Sequence, residues 1–131
     1  MFKLIKIEGG RINVPEPQIF ETQSEIVDGQ ALVFNNGYLI AATETTKPTF
    51  IALANAHGTS SKAVKVHVAR VEPNQIYEVP VTAAPTSLKV GNKVTLSAGT
   101  GVTATTTGGV AEIVSLNGAT TTGDTVIVRF S

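Results

Sequence analysis

The chain has 131 residues, which suits one domain with a real core, and its hydrophobic content of 42% argues against disorder. Ten basic residues balance ten acidic ones, so the formal net charge is zero; a protein that neutralised several phosphates would carry a basic surplus, which sets nucleic acid aside as a partner. Cysteine is absent, leaving neither disulfides nor thiolate metal sites, and no stretch approaches the length of a membrane-spanning helix, so no membrane partner is expected.

The first element read along the chain is a short strand, Phe2 to Ile7, closed by Gly9-Gly10. Its apolar run is too short and too interrupted by lysine for a secretory signal. Pro15 and Pro17 flank Glu16, and two prolines at alternate positions keep that segment extended and out of any central strand. Residues 1–25 therefore read as an extended N-terminal arm. It is either an edge strand and linker folded on its own domain, or an arm that adds to a neighbouring subunit.

A β module follows at residues 29–70. Leu32 and Phe34 alternate, Asn35-Asn36-Gly37 makes a tight turn, and Tyr38 to Ala42 runs back, since Asn and Gly both tolerate positive φ. Phe50 to Ala54 reads as a nearly continuous apolar strand. Val64, Val66 and Val68 then alternate with Lys65, His67 and Ala69, which places the valines on one face. Between 71 and 89, Ile76, Tyr77 and Val79 suggest a strand bounded by prolines, and a short helix is expected between Ala83 and Lys89.

Residues 91–131 repeat the first module. A constant shift of 62 brings Gly29 onto Gly91, Gly37 onto Gly99, Ile51 onto Ile113 and Asn55 onto Asn117, and it sets Val64, Val66 and Val68 on Val126, Val128 and Phe130 without a gap. No segment has the spacing of three and four that a helix needs, and β-branched residues and glycines recur throughout. The expected fold is all-β: a small barrel or sandwich built from two duplicated strand-hairpin modules. Residues 26–131 form the single β domain and residues 1–25 the arm.

Catalytic and cofactor motifs do not emerge. Gly99-Thr100-Gly101-Val102-Thr103-Ala104 matches a relaxed dinucleotide fingerprint, but no helix starts there to meet a pyrophosphate. His57 and His67 have no neighbouring carboxylates at metal-ligand spacing. No nucleophile elbow and no acid–base carboxylate pair stands out. The expectation is a protein without catalytic residues, cofactor or metal.

The order Asp28-Gly29-Gln30-Ala31-Leu32, a turn at Gly37, Tyr38-Leu39-Ile40-Ala41-Ala42, Phe50-Ile51-Ala52-Leu53-Ala54 and the closing valine strand resembles the head decoration (cement) proteins of tailed bacteriophages. The end of the second module, Asp124 to Phe130, is similar to the final strands of that group. The resemblance implies a structural virion protein that binds the outside of an assembled capsid and stabilises it. Such a protein is made in the bacterial host cytoplasm. Its partners would be the major capsid protein and further copies of itself, as a trimer or a dimer. On that reading Phe2, Leu4, Ile5, Ile12, Val14, Pro15, Pro17 and Ile19 are the expected capsid or subunit contacts, and a chain lacking residues 1–20 is expected to fold but not to bind heads. The alternative is a carbohydrate-binding or adhesive β module of a phage fibre or bacterial surface, which calls for an exposed Tyr38 or Tyr77.

Overall fold

The computed structural model describes residues 1–8 and 16–130, and every regular element among them is a strand. In chain order these are β1 (Lys3–Ile7), β2 (Gln18–Thr22), β3 (Glu25–Ile26), β4 (Ala31–Asn35), β5 (Tyr38–Ala41), β6 (Phe50–Ala52), β7 (Ala56–His57) and β8 (Val64–Arg70), then β9 (Gln75–Pro80), β10 (Lys93–Val94), β11 (Leu96–Ser97), β12 (Gly101–Val102), β13 (Ala111–Ser115) and β14 (Thr125–Arg129). The helix expected between Ala83 and Lys89 does not form. Pro85 interrupts the segment, which turns instead, with Leu88 N–H donating to the Pro85 carbonyl and the Leu88 side chain buried in the core.

The first sheet is antiparallel, in the order β2-β8-β6-β4-β5. The period-two pattern of β8 decides which face turns inward. Val66 and Val68 are buried while Lys65 and His67 are exposed. Register carries the same parity across the sheet. Phe20 pairs with Val66, Val68 with Ala52, and Phe50 with Leu32, and all six join one apolar cluster with Leu39. The short β3–β7 ribbon adds Ile26 and Ala56 to it. The sheet curls until its outermost strands meet, where the buried Thr22 hydroxyl donates to the Leu39 carbonyl at 2.7 Å.

The second sheet runs β1-β9-β14-β13-β10, with β11 and β12 paired as a separate ribbon. Just past β9 the chain joins that ribbon, through a parallel bridge between Val81 and Val102 and a 2.9 Å bond from Thr82 N–H to the Val102 carbonyl. The strand order β9-β14-β13-β10/β11-β12 thus repeats β2-β8-β6-β4-β5. Among the described residues no ladder of hydrogen bonds closes either ring, so the two curled sheets pack in the manner of a sandwich and form no closed barrel.

Hydrogen bonding corrects the gap-free alignment. Gly29 N–H donates to the Ala52 carbonyl and Ala52 N–H to the Gln30 carbonyl; in the second half Gly91 N–H donates to Ile113 and Ile113 N–H to Asn92. Ile113 therefore takes the place of Ala52, not Ile51. The second half is one residue shorter between these points, and the slip puts Ile113 on the inward face.

Part of the outer face of the first sheet is covered as well. Ala31 and Ile51, which alternate with inward Leu32 and Phe50, join the larger cluster formed with Tyr77, Val79, Val94, Leu96, Ile113, Val126, Val128 and Phe130. Gln30 fixes this joint: its Nε2 donates to the Ala98 carbonyl at 2.9 Å and its Oε1 accepts from Val27 N–H at 3.2 Å. Ala31 N–H donates to the Gly99 carbonyl at 2.7 Å.

Within residues 1–25 the described strands are part of the chain's own sheets. β1 pairs with β9, and β2 pairs with β8, both within the chain's own sheets. Between Leu4 and Lys6 the β1–β9 register shifts, so Ile5 stands out as a bulge and is 45% exposed.

Candidate docking surface

The outward residues of the first sheet form a row across three strands. Ile19 on β2 lies opposite His67 on β8, and the His67 carbonyl accepts from Leu53 N–H just past β6. Ile19 is 54% exposed and Leu53 43%. One step along, Pro17, Ala69 and Ile51 border an apolar groove of about 460 Å³, whose opposite wall is Met1, Phe2, Leu4 and Tyr77 from the β1–β9 side. The groove therefore follows the seam where the second sheet meets the outer face of the first. Among the described residues, Lys3 and Asp28 are its only ionisable side chains besides Tyr77.

The sequence-derived contact residues separate into three groups. Leu4 and Pro17 line the groove and Ile19 stands beside it, so the fold brings these three together. Ile5 is exposed on the β1 bulge and does not line the groove. Phe2 has to be corrected. It is 3% exposed, its ring centroid lies 5.2 Å from Phe130 and 6.2 Å from Tyr77, and its N–H donates to the Gly29 carbonyl. It is a core residue that only floors the groove, because burying a whole aromatic ring is worth more to the fold than leaving it for a partner. Ile12, Val14 and Pro15 lie outside the described residues.

Sequence reading missed Leu53, which sits in the continuous apolar run Phe50 to Ala54. Such a run carries no alternation to reveal an outward member. It also missed Met1. The Met1 amine donates to the Thr100 carbonyl, and partial burial lowers its pKa below the ordinary value. Tyr77 was a candidate exposed aromatic. It is buried instead, its hydroxyl donating to Gln75 Oε1, and burial together with the nearby Glu72 raises its pKa. Gln75, also buried, donates through Nε2 to the Arg70 carbonyl, so this pair is a satisfied element of the seam.

Elsewhere His57 Nδ1 lies 3.1 Å from Glu25 Oε1, with both side chains largely in solvent. Among the described residues no group of three or more His, Cys, Asp or Glu could hold a metal ion, and no helix is long and apolar enough to cross a membrane. The surface on the seam presents apolar area with few titratable groups, which suits binding by shape and burial.

No protein-family model matches the sequence, and no curated protein matches it. The fold does have a solved counterpart. The N base of the head fibre protein gp8.5 of bacteriophage phi29 aligns over 88% of this chain and 95% of its own, with a TM-score of 0.57 and 17% sequence identity. The two-module all-β architecture described above is therefore a fold already known in a phage head fibre base.

Proposed function

We propose that this chain is a structural protein of a tailed-phage virion, made in the host cytoplasm and carried on the outside of the assembled head, which it stabilises. The observation that carries this reading is the likeness to the phi29 head fibre base, which extends over 88% of this chain and 95% of that one. The zero net charge and the exposed apolar row on the seam support it. The contact with the major capsid protein is assigned to that row, Ile19 and Leu53 with the groove beside them. The protein works without catalysis, cofactor or nucleic acid, and it acts as a homo-oligomer, a trimer matching the threefold positions of a capsid lattice. Binding only the assembled shell stabilises the shell by mass action, and many copies on one lattice gain further from multivalency.

A truncation is the wrong test. Removing residues 1–20 would take away β1, most of β2 and the buried Phe2 ring, so loss of binding would follow from unfolding. The better test uses Ile19→Asp with Leu53→Asp, both at exposed positions. The parent chain is expected to sediment with assembled heads and to stay in solution with unassembled capsid protein, while the double variant melts like the parent and stays in solution with heads. A parent chain that ignores assembled heads would sink the reading, and a double variant that still sediments would move the contact to another face.

A further inference from the structure

A second groove, far from the seam in character, lies at the tip of the β4–β5 hairpin and has a volume of about 260 Å³. Tyr38 and Ile40 alternate with buried Leu39 along β5, so both project from the outer face of the sheet. Around them stand Asn35 and Asn36 from the hairpin turn, Gln23 and Ser24 from the connection after β2, and Ser60 from the loop after β7. Every polar group in this lining is an amide, a hydroxyl or backbone, and none carries a formal charge. Among the described residues the side chains of Asn35, Asn36 and Tyr38 make no hydrogen bond within the protein, while Gln23 Nε2 reaches the Ser60 carbonyl at 3.4 Å, the long end of the range.

We infer that this groove binds a neutral saccharide. A half-buried tyrosine ring offers a flat apolar surface for the C–H face of a sugar ring. Free amides supply donors and acceptors side by side, the combination that a run of hydroxyls requires. An uncharged lining gives no reason to bind phosphate, carboxylate or a cation. The internal repeat sharpens the point: the equivalent turn of the second half, Ala98-Gly99, has no such side chains and is used inside the molecule. The groove is smaller than the pockets that hold drug-sized ligands, so one site binds weakly. Display of many copies on a shell would turn that weak affinity into firm attachment, which is the only respect in which this inference rests on the virion reading.

The test is an NMR titration of the intact chain with maltotriose, cellotriose and tri-N-acetylchitotriose, beside a glycan array. Amide shifts are expected for Gln23, Ser24, Asn35 to Ile40 and Ser60 with at least one of these uncharged sugars or an array hit. Tyr38→Ala is expected to weaken binding roughly tenfold. Ser60→Trp, at an exposed loop position, is expected to block the groove while the melting temperature stays that of the parent. Both variants should still sediment with heads. No shift with any sugar on the panel or the array overturns the inference, as does binding that survives both substitutions. Loss of head binding by these variants, with sugar binding absent, assigns the tip to the capsid contact instead.

Discussion

Two hairpin tips occupy the same place in the two halves of the molecule and are put to opposite uses. Asn36 and Gly37 have φ of 51° and 83°; Ala98 and Gly99 have φ of 52° and 72°. The turns share their backbone shape, yet the surroundings differ completely. A Cβ added at Gly37 would meet nothing within 4 Å, whereas at Gly99 it would lie 2.6 Å from the Ala31 carbonyl oxygen. The first tip points its amides at solvent, and the second is driven into the seam and bonded to Gln30 and Ala31. A duplicated element thus keeps its backbone while its side chains decide whether it becomes surface or joint. The missing side chain at Gly99 is what allows the second tip to press against Ala31.

The first way to press this comparison is to remove what the second half alone possesses. Phe2→Ala empties the space between Tyr77 and Phe130 and is expected to cost about 4 kcal/mol in urea unfolding. A loss under about 1 kcal/mol would mean that β1 is a loose attachment.

The two tips themselves come next. Gly99→Ala adds a clash with backbone to left-handed strain and is expected to cost about 3 kcal/mol, against about 1 kcal/mol for Gly37→Ala, where only the strain acts. Equal costs would break the distinction. Closure of the first sheet is a finer contrast, because it depends on a side chain where the second uses backbone. Thr22→Val removes the donor to Leu39 and the acceptor for Ser24 N–H, with an expected loss of about 2 kcal/mol.

The smallest effect concerns the turn before β14. Asp124 is half-buried, and N–H groups of Thr120 and Thr121 and the Thr121 hydroxyl donate to its Oδ2; these bonds hold its pKa below the ordinary value. A carboxylate with a lowered folded-state pKa stabilises above its unfolded pKa, and the benefit is lost as pH falls through the folded value. The stability gap between the parent and Asp124→Asn should therefore be widest near neutral pH and narrow in strong acid. A gap that is constant with pH would remove the charge from the account.

Much of the fold was readable because alternation and turn chemistry are local. Asn36-Gly37 marked the first hairpin, and Val64 to Val68 fixed which face of β8 turns inward. The repeat of glycines gave the order of the second half. The one-residue slip at Ile113 was not readable, because glycine and valine matches tolerate such an offset and only hydrogen-bond partners expose it. The lining of the groove was half visible. Leu4, Pro17 and Ile19 carried the apolar signal of the arm, but the same signal in Phe2 meant core. Composition records that a residue avoids water; whether a partner or the chain's own interior receives it depends on contacts distant in sequence. Leu53 and Met1 join the groove through such distant contacts.

The bulge at Ile5 has a consequence for life at high density. β1 is the outer strand of its sheet, and a flat, apolar outer strand invites the same strand of a neighbour to zip onto it, the first step towards fibres. Here the ladder is thrown out of step at Ile5, and Lys3 and Lys6 bring like charge to either side of it. Copies crowded together can touch along this strand without the contact propagating into a fibre.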